Sequence, residues 1–372
     1  MSANESRQAI RQLVVKVGAS VLTDSSGRAS LARLQQIVEQ IAASARNGQA
    51  VVLVSSGAIA CGMDALGAKR RPRELAQLQA CAAVGQGLLM HRYSRAFETH
   101  GLTVGQVLLT QADLTDRTRC RNARQTLHAL LAKRIIPIIN ENDAVAVEEI
   151  AVGDNDRLAA LVACLLDADL LVLLTDVDGL LHEGQLVARL EQVDHTHHAI
   201  ALGSSRDTTT GGMSSKLAAA RIAQQRGIPL VIANGTRPGI LQDIVAGKPV
   251  GTLIAASGAR LTFRKWWLAH AARHPKGTIM IDAGAAEALR TRGRSLLASG
   301  ITEVQGHFSA GELVSLVDDQ RRPLGRGLCA FSSSELQRIR GLKSQDASKT
   351  LGRRAPEEVV HRDQLVLTQE LA

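Results

Sequence analysis

At 372 residues the chain is long enough for two or three domains and for a sizeable core. Hydrophobic residues at 45% and charged residues at 21% exclude a disordered polyelectrolyte, and no run approaches the ~18 apolar residues of a membrane-spanning helix. Aromatics at 2% leave the core to Ala, Val, Leu and Ile, which favours helices on a parallel sheet over an aromatic-rich β sandwich, and the net charge of +9 suits nucleic acid or polyanionic small ligands.

Residues 13–17 are a short apolar run broken by Lys16 and ended by Gly18, which predicts a strand. Residues 31–45 carry Leu31, Leu34, Ile37, Val38 and Ile41 at helical spacing. A strand over 50–54 stops at Ser55-Ser56-Gly57; a long helix over 74–97, a strand over 103–109 and a helix over 118–132 follow. The run Ile135-Ile136-Pro137-Ile138-Ile139 reads as a buried strand, 158–166 as a buried helix, and 169–174 as a strand ending at Thr175-Asp176. A helix over 214–226 and a strand over 230–233 complete an alternation that predicts a three-layer α/β/α domain with a mainly parallel sheet over 1–269. His274-Pro275-Lys276-Gly277 suits a linker, taken as 270–276. Short β-type runs at 278–281, 303–305 and 313–317, with one helix over 285–291, predict a small β-rich domain over 277–355; 356–372 reads as a final strand or a tail.

The five cysteines (Cys61, Cys81, Cys120, Cys164, Cys329) have neither CxxC pairing nor zinc spacing; four lie in apolar or helical contexts and read as small hydrophobes, so a reduced compartment is expected. The polar start over 1–11 lacks a signal peptide's apolar stretch, so the expected location is cytoplasmic.

Two acidic-amide clusters, Asn140-Glu141-Asn142-Asp143 and Gly153-Asp154-Asn155-Asp156, lie at a strand's exit and a helix's entry, where open parallel sheets place ligands. Desolvating such groups is costly unless something binds them; the plainer alternative is a pair of polar loops with Asx turns and an N-cap. Lys16 inside an apolar strand calls for an anion, or else snorkels out at the sheet edge. Thr210-Gly211-Gly212-Met213-Ser214-Ser215-Lys216 joins paired glycines, hydroxyls and a lysine at a helix start, which suits polyphosphate, or else is a flexible turn capping the helix. It lacks Walker A spacing.

In chain order, VVKVG (14–18), VSSGAI (54–59), INENDAV (139–145), VGDND (152–156), LLTDVDGL (173–180) and TGGMSSK (210–216) resemble the amino acid kinase family. Within it they resemble the branch that phosphorylates the side-chain carboxylate of L-glutamate, supported by AAVGQGLLM (82–90), VGQVLLT (104–110) and RNARQTLHALL (121–131). GHFSAGELV (306–314) and VHRDQL (360–365) are similar to the PUA domain of bacterial members. The resemblance implies ATP-dependent formation of glutamyl 5-phosphate, the first step of proline biosynthesis. It implies Lys16, Lys216 and Asp156 as catalytic residues, with Asp156 orienting the lysines. Ser56, Asp143 and Asn155, with Asn140 and Asp154 beside them, are implied to bind glutamate. Nucleotide contacts are implied for Lys16, Gly18, Thr175, Asp176, Thr210, Gly211, Gly212, Met213, Ser214, Ser215 and Lys216. Gly18, Gly57, Gly211 and Gly212 are expected to bring backbone N–H groups to phosphates. Mg²⁺ is implied with ATP, held by phosphate oxygens and water, and no protein ligand is assigned. Proline as a feedback inhibitor, transfer of the product to glutamyl phosphate reductase, and a homo-oligomer are further implications.

Two positions depart from the family pattern: Leu181-His182-Glu183-Gly184-Gln185 replaces a longer stretch beside the nucleotide, and Ser215 replaces a commoner threonine. The rival readings are a sister kinase acting on another carboxylate, a carbamate or a nucleoside monophosphate, and an RNA-binding protein acting through the PUA-like domain. Over 271–372 there are 15 basic against 12 acidic residues, a weak footprint for RNA. Trp266-Trp267 beside Arg264-Lys265 is expected buried at a domain junction rather than exposed as a stacking platform, Arg117, Arg119, Arg121 and Arg124 on a solvated or inter-subunit face, and His197-His198 on the surface rather than at a metal site. The segment 69–73 is expected to be an exposed loop.

Overall fold

A computed structural model describes residues 10–145, 155–193, 212–256, 262–270 and 275–368. The chain divides into two compact units, Met1–Arg260 and Leu261–Ala372.

Among the described residues of the first unit, β1 (Gln12–Val17), β2 (Ala50–Ser55), β3 (Val104–Leu109), β4 (Ile136–Glu141), β5 (Leu170–Thr175), β8 (Arg189–Leu190), β9 (Leu230–Asn234) and β10 (Thr252–Ile254) form one sheet in the order β3-β4-β2-β1-β5-β9-β10-β8. Neighbours from β3 to β9 are parallel, and β10 runs antiparallel to β9. β6 (Leu181–His182) and β7 (Gln185–Leu186) make a small hairpin whose turn residues, Glu183 and Gly184, both have positive φ. That hairpin is what the segment after Leu180 forms.

Alternation along β1 sorts the two faces. Leu13, Val15 and Val17 share a core with Val21 and Leu22 of α1 (Ala19–Leu22), with Ile37, Val38 and Ile41 of α2 (Leu31–Arg46) and with Leu89, Tyr93 and Phe97 of α4 (Leu75–Glu98). Lys16, being out of phase, faces the other layer, where α7 (Asn155–Leu166) lies against β1. α7 is apolar nearly all round from Leu158 on and buried throughout except at Arg157, as expected of a helix between a sheet and further helices.

α3 (Ala58–Ala65) starts at Gly57, whose φ of +108° lies in the left-handed region that glycine adopts without strain. α3 then packs tightly on α4 through two glycines. A Cβ on Gly85 would sit 1.8 Å from the Ala58 carbonyl, and one on Gly62 would sit 1.8 Å from that of Cys81. α5 (Gln111–Thr115) and α6 (Arg117–Ala132) follow β3. Arg119 pairs with Asp113 and Arg124 with Asp167, so two of the four arginines on α6 have partners within the unit. α8 (Met213–Gln225) packs on α7, and α9 (Ile240–Val245) closes the opposite core.

The second unit opens with α10 (Phe263–His270), in which Trp266 and Trp267 are buried. α10 packs on β15 (Pro323–Leu328) and β17 (Leu365–Leu367), so the division at Arg260 falls before it and not at 269. The sheet order is β13-β11-β14-β15-β17, with β11 Gly277–Ile281, β13 Ile301–Gly306 and β14 Leu313–Val317. A two-stranded ladder, β12 (Leu296–Leu297) with β16 (Glu358–Val360), lies apart from it. Besides α11 (Ala283–Arg292) the unit holds α12 (Ser333–Ile339) and α13 (Ser344–Leu351), where the sequence suggested one helix. Residues from 356 form β16 and β17, so the C-terminal segment is part of the fold as far as Leu367.

All five cysteines are buried and free. Among the described residues no helix is long and apolar enough to cross a membrane.

Candidate active site

The register aligns the carboxyl ends of the parallel strands. Val17 pairs with Ser55 and Leu174, Val54 with Ile139, and Thr175 with Asn234. β2 lies on one side of β1 and β5 on the other, so this edge contains the switch point at which open α/β sheets bind ligands.

Asp156, on the first turn of α7 and 1% exposed, holds two ammonium groups. Lys16 Nζ approaches Oδ1 at 2.6 Å, and Lys216 Nζ lies 3.3 Å from Oδ2. The Ser215 hydroxyl also donates to Oδ2, at 3.1 Å. Burial opposes ionisation of Asp156, but the two lysines and the Ser215 hydroxyl outweigh it and hold the carboxyl below its ordinary value. Burial, aided by Lys16, draws Lys216 below the ordinary lysine range against the pull of Asp156 and Asp176. Asp156 is thus an ionised strut between a strand lysine and a helix lysine.

Thr175 is buried at the end of β5 and donates to Asp176 Oδ1 at 3.1 Å. Asp176 is exposed, close enough to Lys216 to act on its charge. Gly212 caps α8, and its carbonyl accepts from the Ser215 amide and shares the single Ser215 hydroxyl proton with Asp156 Oδ2, so Met213, Ser214, Ser215 and Lys216 occupy one helical turn beside Asp156. Gly18 departs from expectation. Its N–H donates to the Leu174 carbonyl at 3.0 Å, which commits that amide to joining β1 and β5. What Gly18 offers is the missing Cβ, which would stand 3.7 Å from Lys16 Nζ.

A second polar set adjoins the lysines because Asn155 immediately precedes Asp156. The Asn155 side-chain amide donates to Ser56 Oγ at 2.8 Å and to Asn140 Oδ1 at 3.0 Å. Asn140 Oδ1 also accepts from the Glu141 backbone N–H at 2.9 Å, and Asn140 Nδ2 donates to Gln86 Oε1 at 2.8 Å. Ser56 is tied back through its own N–H to the Val17 carbonyl, while the Ser55 hydroxyl donates to the Ser56 carbonyl and shares a hydrogen bond with the Tyr93 hydroxyl. Asp143 is half-buried, and burial pushes its carboxyl up to about 6 against the opposing charge of Arg71.

The structure therefore brings together Lys16, Lys216, Asp156 and Ser215 as one cluster, and Ser56, Asn140 and Asn155 as the next. The expectations for Asp154, Thr210 and Gly211 lie outside the described residues, as does His197-His198. Sequence reasoning missed Gln86, Tyr93 and Arg71. Arg71 is exposed in its loop as expected, yet it acts on Asp143.

Among known proteins, the pattern of the Amino acid kinase family matches residues 11–234, and that of the PUA domain matches residues 277–351. A glutamate 5-kinase of Moorella thermoacetica is 44% identical, covering 99% of this chain and 100% of its own length. One of Salinispora arenicola is 48% identical over 96% of this chain and 98% of the relative, and one of Thermus thermophilus is 47% identical over 97% and 98%. With the family pattern spanning more than half of its length, and with the lysine-bearing strand, the buried α7 and the glycine-capped α8 meeting at one sheet edge, the chain belongs to the amino acid kinase family.

Proposed function

We infer that the chain transfers the γ-phosphoryl group of ATP to the side-chain carboxylate of L-glutamate, giving ADP and L-glutamyl 5-phosphate at the entry to proline biosynthesis. The observation that carries this reading is the meeting of Lys16 and Lys216 on the two oxygens of Asp156, one residue from the Ser56–Asn155–Asn140 set. Near-full-length relatives named glutamate 5-kinase support the acceptor.

A glutamate side chain with pKa near ~4.3 is already ionised at neutral pH, so its oxygen needs no general base. That oxygen attacks the γ-phosphorus in line. A new C–O–P bond forms as the bond to the β,γ-bridging oxygen breaks, and the electron pair leaves with ADP. The protein's work is alignment and neutralisation of charge. Lys16 and Lys216 reach the transferring group from β1 and α8, and Asp156 fixes the direction of both; engaged on both oxygens, it is no proton acceptor. Ser56 and Asn155 position the substrate, and Asp143 receives its ammonium. Thr175, Asp176 and the start of α8 contact the nucleotide.

Magnesium enters as the ATP complex. An ion that accompanies ATP would be held by phosphate oxygens and water, and no residue of the chain is assigned to it. The same reading includes proline competing at the amino acid site, transfer of the labile acyl phosphate to glutamyl phosphate reductase, a cytoplasmic location and assembly into a homo-oligomer. Trapping of the product by hydroxylamine tests the central claim: glutamate and ATP should yield the hydroxamate with matching ADP release. ADP formation no faster with glutamate than with water would overturn it.

A further inference from the structure

We propose that Gln86 is a positioning residue that fixes, through Asn140, the orientation of the Asn155 amide, and so reserves Asn155 Oδ1 as a hydrogen-bond acceptor for the substrate's ammonium group, whose charge Asp143 balances. The inference rests on the glutamate reading above and adds to it a residue outside the amide cluster and a reason for amino acid selectivity.

The argument starts from a donor that has no choice. The Glu141 backbone N–H only donates, so the Asn140 atom 2.9 Å from it is the oxygen. Asn140 therefore turns its NH₂ outward, and that group needs an acceptor, which Gln86 Oε1 supplies at 2.8 Å from α4. The same Asn140 oxygen faces Asn155 at 3.0 Å, and two carbonyl oxygens would repel there, so Asn155 presents Nδ2. Its other amide hydrogen goes to Ser56 Oγ at 2.8 Å. Both donors of Asn155 are thereby spent. Its oxygen is buried without a hydrogen-bond partner, on a residue only 8% exposed. A buried acceptor with no donor is unfavourable, and an ammonium group is the donor that an amino acid brings.

Gln86 reaches Asn140 because Gly85 lets α4 approach α3 so closely that a Cβ there would lie 2.4 Å from the Gly62 nitrogen. The relay thus runs from a glycine contact between helices, through three amides, to an oxygen beside the lysine cluster. Without the Gln86 acceptor, the Asn140 NH₂ loses its partner, and the fixed donor pattern facing Asn155 loosens.

The test compares glutamate with glutarate, which keeps both carboxylates but lacks the ammonium. Gln86→Met keeps the side-chain length and removes the acceptor; Gln86→Glu keeps an acceptor. For Gln86→Met the glutamate KM should rise about tenfold, the loss expected for a weakened hydrogen bond to a charged group, with kcat and the ATP KM within about twofold. The glutarate inhibition constant should stay within about twofold. Gln86→Glu should recover most of the selectivity for glutamate. Equal losses for glutamate and glutarate, a fall confined to kcat, or a Gln86→Glu variant as impaired as Gln86→Met would each overturn the proposal. If Gln86→Met does not fold, selectivity in Gln86→Glu decides alone, and its loss counts against the relay. A wild-type enzyme that turns over no glutamate would instead overturn the reading of the substrate.

Discussion

Asp156 and Asp143 are both carboxylates at one sheet edge, yet their surroundings set them to different tasks. Asp156 is held ionised by two lysines, whereas Asp143 is pushed up to about 6 by burial. The difference gives separable kinetic signatures. Lys216→Ala removes charge neutralisation at the transferring group and should lower kcat by ~10²–10³, with the glutamate KM little changed. Asp143→Ala should chiefly raise the glutamate KM; the reverse pattern in steady-state assays would show the roles misassigned. The pH dependence follows with a definite sign. Above about 6, Asp143 is charged and attracts the substrate ammonium; as the pH falls through that value it gains a proton, and the attraction is lost. A profile of kcat/KM for glutamate should bend downward below about pH 6, above the ~4.3 of the substrate's own side chain. The bend should vanish in Asp143→Asn.

The element scale shows what a sequence discloses and what it hides. Lys16 was legible because one charge in an apolar strand is conspicuous, and the amide clusters because they sit at the seams between strand and helix. Gln86 was not, since a glutamine on an amphipathic helix matches any solvated face, and its partner lies 54 residues away. Tyr93 was hidden in the same way, its hydroxyl meeting Ser55 across the core. β15 was missed because Pro323, Gly325 and Gly327 read as turn residues, although the two glycines allow β17 to approach closely. α12 carried a usable signal, a capping box from Ser332 to Glu335, that apolar periodicity over seven residues could not supply. The block AAVGQGLLM lies within the long helix predicted over 74–97, and it carries two glycines, each a weak helix former. The structure makes its first glycine a contact surface: a Cβ at Gly85 would meet backbone of α3 at 1.8 Å, and backbone cannot rotate away. Gly85→Ala should therefore destabilise the fold by about 1–3 kcal/mol or more, despite alanine's better helix propensity, as a lowered thermal midpoint would show. An unchanged or raised midpoint would mean that α3 and α4 do not touch as described.

At the scale of the whole molecule the two units carry separate cores. One is built on β1, β2, β4, β5 and β9 with α2, α4 and α9; the other is built on β11, β13 and β14 with α11 and α12. Every residue assigned here to catalysis or substrate binding belongs to Met1–Arg260. Separate cores need not melt together, so two-state behaviour is not expected of the full chain. A ligand that binds only the folded first unit stabilises that unit by mass action, about 2.7 kcal/mol at a hundred times its Kd, which is roughly 5–10 °C for a domain of this size. Scanning calorimetry of the full chain should resolve two transitions. Mg-ATP should move one of them upward by that amount, and the unit of Leu261–Ala372 should melt where it did before. A single transition that shifts as a whole with nucleotide would mean that the two cores unfold as one cooperative body.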